Sequence, residues 1–286
     1  MDDVTFDELT VEDPDGLTTV VHRWLPPRPR AVLHLLHGWG EHALRYDETA
    51  RVFATAGYAV YADDHRGHGQ TGVRSATLGD LGPRQGDGVL DAVHEVTLRA
   101  ATLHPGLPVF VLGHSWGSMI LQRYLRRWSH ELAGALLTGT TYRDPSAPAP
   151  AVRPSPNERF EPARTPYDWL TRDEVEVDRY IADPLCGFEL MSSSPGARTT
   201  SLARGTEAPA SPVSPHLPIL ILNGADDPVG GDAGGRDLAD HYRSIGVEDV
   251  TFRSYPGARH ELFNELERDG TRQDVLAWLD ARTAHR

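Results

Sequence analysis

The chain has 286 residues, 39% of them apolar and 24% charged, an ordinary balance for a globular enzyme and long enough for one α/β body with an insertion. Its 28 basic and 41 acidic residues leave a formal charge of −13, which disfavours nucleic acid as a partner and offers no basic patch to anionic membrane surfaces. A single cysteine, Cys186, excludes an intrachain disulfide, and no apolar run approaches the roughly 18 residues that cross a bilayer.

The first residues, MDDVTFDELTVEDPDG, lack the basic and apolar regions of a signal peptide, so the chain is expected to be cytoplasmic, a monomer or homodimer without an integral membrane anchor. Two strand-like runs, Phe6–Val11 and Leu17–Trp24, flank the turn Asp13-Pro14-Asp15-Gly16 and predict a hairpin at a sheet edge. Six further runs follow: Ala31–Leu36, Tyr58–Ala62, Pro108–Leu112, Ala133–Thr138, Pro218–Leu222 and Val250–Tyr255. They are compact and rich in Val, Leu and Ile, as strands buried on both faces should be. Helical stripes lie between them. Val89, Val93, Val96, Ala100 and Leu103 form one; Met119, Ile120, Tyr124, Leu125 and Trp128 form another; Val275, Leu276, Trp278 and Leu279 mark a C-terminal helix. The alternation predicts an α/β fold with a mostly parallel eight-stranded sheet flanked by helices.

The alternation stops between Tyr142 and His216. Proline-rich tracts at 144–150 and 152–156 cannot be regular helix or central strand. A helical piece over Thr171–Ala182 and a second loose tract, Ser192–Pro215, follow. The expected organisation is a core made of residues 1–141 and 216–286, with residues 142–215 inserted as a cap subdomain. A disordered linker between two domains is ruled out, because neither flank could close its own sheet.

Chemistry enters at Gly113-His114-Ser115-Trp116-Gly117, a G-x-S-x-G string between a strand and a helix. A strand-to-helix turn this sharp strains the central residue, and flanking glycines let the neighbouring backbone approach. The serine hydroxyl would stand above the sheet at a helix N-terminus, where the dipole favours negative charge. A serine nucleophile needs a base, and the base an orienting carboxylate, in the chain order Ser, Asp or Glu, His. Two loops past strand ends supply them: Asn223-Gly224-Ala225-Asp226-Asp227-Pro228 carries two candidate acids, and Pro256-Gly257-Ala258-Arg259-His260-Glu261 carries His260. Backbone donors for an oxyanion are expected at Trp116, after the nucleophile, and at Trp39 in the loop His37-Gly38-Trp39-Gly40.

No metal or cofactor is expected. His34 and His37 lie three apart on a strand and point to opposite faces. His65 and His68 sit in a glycine-rich loop where their rings brace backbone, and Cys186 reads as a packed thiol.

Together these strings resemble the monoacylglycerol lipase and lysophospholipase group of α/β hydrolases, sometimes filed with serine aminopeptidase-like hydrolases. The matching segments are HGWGEHALRY (37–46), DDHRGHGQT (63–71), GHSWGS (113–118), GADDPVG (224–230) and YPGARHELFNE (255–265), with TPYDWLTRDEVEVDRYIADPLCGFEL (165–190) in the cap. The resemblance implies the α/β-hydrolase fold, the triad Ser115, Asp227 and His260, and oxyanion donors at Trp39 and Trp116. It selects Asp227 over Asp226, three residues after the glycine.

The implied activity is carboxylic ester hydrolysis through an acyl-enzyme on monoacylglycerol-like, lysophospholipid-like or small lipophilic esters. Trp169, Tyr180, Leu185, Phe188 and Leu190 are the candidate substrate wall. An amidase or aminopeptidase on the same triad, and a binding module without turnover, are the competing readings. The tract after Thr140 is shorter and richer in proline than in relatives, which predicts a shallow acyl channel. Each buried methylene contributes roughly 0.8 kcal/mol, so affinity should stop growing at short to medium chains.

Overall fold

The computed structural model describes residues 4–142, 155–188 and 212–283. Eight strands form one sheet: β1 (Thr5–Glu12), β2 (Thr18–Leu25), β3 (Ala31–Leu36), β4 (Tyr58–Asp63), β5 (Val109–His114), β6 (Gly134–Thr138), β7 (Ile219–Gly224) and β8 (Val250–Tyr255). Their spatial order is β1-β2-β4-β3-β5-β6-β7-β8. The β1–β2 and β2–β4 pairs are antiparallel, and every later pair is parallel. The expected hairpin is present at the edge. Asp13 makes its turn, one carboxylate oxygen accepting from the amides of Asp15 and Leu17 at 3.0 Å each, and Gly16 takes φ 77°.

Helices cover both faces: α1 (Asp47–Thr55), α2 (Gly69–Arg74), α3 (Gln85–Leu103), α4 (Trp116–Trp128), α5 (Glu174–Ala182), α6 (Gly231–Ser244) and α7 (Arg268–Thr283). Strand alternation divides the core into two layers. Val32 and Leu36 of β3 pack with Val93 and Val96 of α3, Leu121 and Tyr124 of α4 and Leu238 of α6. Leu33 and Leu35 pack with Phe53 of α1 and Val275, Trp278 and Leu279 of α7.

The three apolar stripes each fall on a helix, α3, α4 and α7. Two expectations need correction. Val250–Tyr255 is not buried on both faces: β8 is the sheet edge and its residues are half-buried or exposed. The cap helix begins at Glu174 rather than Thr171, because Thr171 Oγ1 donates to Asn264 O and accepts from Asp173 N, and Asp173 then caps the helix through Val175 N. Residues 155–188 add no strand to the sheet and meet the loops at its carboxyl end. Most of the two loose tracts, 144–150 and 192–211 included, lies outside the described residues, as does Leu190.

Candidate active site

Ser115 follows β5 directly and caps α4 with φ 52° and ψ −116°, a conformation that L-residues rarely adopt. The glycines around it are sterically required. A Cβ on Gly113 would lie 2.5 Å from Gly117 O, and one on Gly117 would lie 2.3 Å from Leu36 O. The turn therefore packs against the end of β3, and the Ser115 amide is fixed by donation to Thr138 O at 2.9 Å.

The loop after β8 reaches this hydroxyl, and the loop after β7 backs it. Ser115 Oγ donates to His260 Nε2 at 2.8 Å, and His260 Nδ1 donates to Asp227 Oδ1 at 2.9 Å. Asp227 is buried and also accepts from Val229 N, whereas the Asp226 side chain is half-exposed and faces Arg159. Of the two acids the sequence offers, the structure puts Asp227 against the histidine. Burial alone would lower the His260 pKa. The Asp227 charge and hydrogen bond outweigh it, Glu261 and Glu41 add to them, and the net shift is upward from 6.5. This arrangement can take a proton from the serine and hold the resulting imidazolium.

Trp39 lies in the loop after β3, between two committed amides. Gly38 N–H donates to Glu41 Oε1 at 2.5 Å, and Gly40 N–H to His68 Nε2 at 3.2 Å. Its ring meets that of Trp116 edge to face, with centroids 5.0 Å apart. Trp116 opens α4, where the first amides have no intrahelical acceptor.

Above Ser115 is a cavity of about 220 Å³. Trp169, Leu170 and Phe188 form an apolar part of its wall, with Trp169 packed 4.9 Å from the His260 ring. Tyr167, Tyr180, Glu41 and Glu261 form a polar part. Trp169, Tyr180 and Phe188 were expected there; Leu185 is not among the lining residues. Tyr180 holds position by donating to Gly40 O at 2.9 Å.

Sequence reasoning missed the buried ion cluster in that wall. Arg45 bonds Glu41 Oε2 at 2.7 Å and both oxygens of Glu261 at 2.6 and 2.8 Å, and its guanidinium lies over the Tyr180 ring. Glu41 and Arg45 stand four apart inside HGWGEHALRY, the only signal that could have flagged them.

The histidines dismissed as metal pairs have other partners. His34 on β3 binds Asp63 and Thr97, and His37 lies one residue past the strand, facing His65 and His68. His42, Asp183 and Cys186 bring one potential ligand atom each within 4.8 Å of one another. His42 Nε2 is bonded to Asp183 at 2.8 Å, a tie between the segment after α5 and the core, and burial pushes the Cys186 thiol up.

A family model described as serine aminopeptidase, S33, matches residues 27–267. The chain is 33% identical to a monoacylglycerol lipase of Mycolicibacterium smegmatis, over 92% of this chain and 93% of that one. It is 29% identical to the monoglyceride lipase of Homo sapiens, over 94% of this chain and 89% of that one. Among solved structures, a thermostable carboxyl esterase from Bacillus coagulans in complex with glycerol is similar with a TM-score of 0.83 and 27% identity, over 98% and 99% of the two chains.

Proposed function

The chain belongs to the serine aminopeptidase S33 family and is a serine ester hydrolase of lipid esters, and from that premise we propose that Ser115, His260 and Asp227 are its catalytic triad, working on monoacylglycerol-like, lysophospholipid-like or small lipophilic esters. The observation that carries this is the unbroken chain Ser115–His260–Asp227, at 2.8 and 2.9 Å, ending on a serine in a strained turn.

In this reading Ser115 Oγ attacks the ester carbonyl as His260 takes its proton. The tetrahedral oxyanion receives the amides of Trp39 and Trp116. Collapse expels the alcohol, protonated by His260, and leaves an acyl-serine. Water, activated by the same histidine, then releases the acid and regenerates Ser115.

The cavity supports a substrate with one polar and one apolar end, because Glu41, Glu261 and Tyr180 face one part of it and Trp169 and Phe188 another. Its volume is below the roughly 300 Å³ at which drug-sized pockets begin, which favours small esters. An aminopeptidase needs a carboxylate free to receive a substrate ammonium. Both carboxylates among the described lining residues are already held by Arg45, which favours ester hydrolysis.

We assign residues 142–215 to a cap over this site, supported by the lining contributed from 167–188. No helix of the described residues is long and apolar enough to cross a membrane. We propose that the chain acts in the cytoplasm as a monomer or homodimer, a setting with which its single cysteine is compatible.

The test is a panel of p-nitrophenyl esters and mono- and triacylglycerols with wild type and Ser115→Ala. Monoacylglycerols should turn over faster than triacylglycerols, and all turnover should vanish in the variant. Turnover at the wild-type rate in Ser115→Ala would end this reading.

A further inference from the structure

We propose that His37 and His68 are positioning residues that aim the Trp39 amide at the oxyanion, each working as the neutral imidazole with its proton on Nδ1. The proposal rests on the oxyanion reading of Trp39 above and goes one step deeper, to what sets that donor.

The loop after β3 has its peptide groups taken up in turn. His37 O accepts from His65 Nε2 at 3.2 Å, and Gly38 N–H goes to Glu41. Gly38 O accepts from His37 Nδ1 at 2.7 Å. Gly40 N–H goes to His68 Nε2, and Gly40 O accepts from Tyr180 Oη and Gly187 N. The peptide between Gly38 and Trp39 is trans, since the described residues contain a single cis bond, at Glu161–Pro162. A planar trans peptide points its N–H opposite to its C=O. With Gly38 O drawn to the buried His37 ring, the Trp39 N–H faces the other way, toward the cavity that Gly38, Trp39 and Ser115 line together.

The two histidines act reciprocally. His37, from the β3 loop, accepts from His65 N–H through Nε2 at 3.0 Å and gives Nδ1–H to its own loop. His68, from the loop after β4, accepts from Gly40 N–H through Nε2 and gives Nδ1–H to Arg66 O at 3.0 Å. Each ring thus takes a backbone donor from the opposite loop and serves a backbone acceptor in its own. These partners allow one tautomer, because an accepting Nε2 carries no proton.

His65 differs. Its two nitrogens meet only acceptors, the Asp63 carboxylate at 2.7 Å and His37 O. The surroundings keep the other two neutral. Burial, then the Coulombic cost of a further positive ring beside the His65 and His68 rings, holds His37 well below the ordinary 6.5, against an opposing pull from Asp63 and the Gly38 carbonyl. Burial brings His68 to about 3, with His65 pushing the same way and the Arg66 carbonyl, Asp64 and Asp63 opposing. Protonating either ring would set a new N–H against the amide it now accepts and break the staple.

The experiment uses the full-length chain and two paired substitutions. His37→Leu removes donor and acceptor, while His37→Asn keeps an N–H near the Nδ1 position. His68→Leu removes the acceptor, and His68→Gln returns an oxygen near Nε2. Against a short p-nitrophenyl ester, each Leu variant should lose about ten- to a hundredfold in kcat, with KM within about threefold. Affinity for an alkyl trifluoromethyl ketone, whose adduct carries the oxyanion, should fall in proportion, and His37→Asn and His68→Gln should recover most of both.

Nitrogen-15 spectra of wild-type histidines should show protonated Nδ1 and bare Nε2 on both rings across about pH 5 to 8. An imidazolium or an Nε2–H tautomer at either would overturn the proposal, even if the variants fail to fold. Folded Leu variants with kcat within about twofold of wild type would do so too, as would losses with no selective effect on the ketone. Ser115→Ala runs alongside: turnover surviving there would fail the triad itself, whereas its loss together with fully active histidine variants would fail only this inference.

Discussion

A backbone held at φ 52° costs of order 1–3 kcal/mol, and Ser115 keeps it because the sheet, Thr138 O and the two close-packed glycines leave no alternative. That strain is why the residue was legible: few backbone settings need glycine two before and two after a serine. His260 was legible by position, as the histidine past the last strand. The choice between Asp226 and Asp227 was not settled by spacing, since both follow β7, and only the fold turns one inward. Asp227→Asn should therefore lower kcat by roughly three to four orders of magnitude through loss of the oriented tautomer. Asp226→Asn, at a half-exposed carboxylate that faces Arg159, should stay near wild type; steady-state kinetics that reversed the two would reassign the acid. The base must be neutral to act, and its pKa is raised. The acid limb of the kcat/KM profile should accordingly fall above pH 6.5, with activity growing as pH rises through it. A limb at or below 6.5 would mean that Asp227 does not dominate the His260 environment.

At the level of elements, the site is a meeting of strand ends. The turns after β3, β5, β7 and β8 carry Trp39, Ser115, Asp227 and His260, so the order of strands in the sheet fixes their spacing. Most of those strands were readable from apolar runs, yet α6 was not among the marked stripes. Its sequence, GDAGGRDLADHYRS, holds three glycines and few apolar residues. A Cβ on Gly235 would lie 2.3 Å from the Phe252 ring, so close packing on β8 selects what local propensity disfavours. The ion cluster was hidden for a different reason. Arg45 and Glu261 are 216 residues apart, and no local pattern announces their pairing.

That cluster ties the loop after β3, through Glu41 and Gly38, to the segment bearing His260 and to Leu170, whose carbonyl accepts from Glu261 N. Arg45→Met would leave two buried carboxylates unpaired and should cost about 3–5 kcal/mol in urea unfolding. Burial pushes the Glu261 carboxyl up, but the Arg45 charge and hydrogen bonds bring it down to about 2. Its contribution is therefore present above the ordinary 4.5 and lost as pH falls toward 2. The variant should unfold in acid at a higher pH than wild type; unchanged urea and acid midpoints would show that Arg45 compensates neither carboxylate.

Over the whole molecule, the sheet is the scaffold and the carboxyl ends of its strands carry the candidate site, with residues 155–188 packed against the loops there. The break in strand–helix alternation was legible in the sequence, but the contacts of residues 155–188 were not. Tyr180 and Gly187 both donate to Gly40 O, joining residues 155–188 to the loop after β3 through one carbonyl. With Trp169 against His260 and a cavity of about 220 Å³, kcat/KM should rise over short acyl chains and level off at medium length, as further methylenes pass beyond the apolar wall that the described residues form. A steady rise to sixteen carbons (about the practical limit of such a series) would reveal a deep channel instead. The most direct test of the account is covalent. A fluorophosphonate probe, followed by peptide mass spectrometry, should place a single adduct on Ser115 and abolish ester turnover in step with labelling. An adduct on another residue, or full turnover after complete labelling of Ser115, would contradict it.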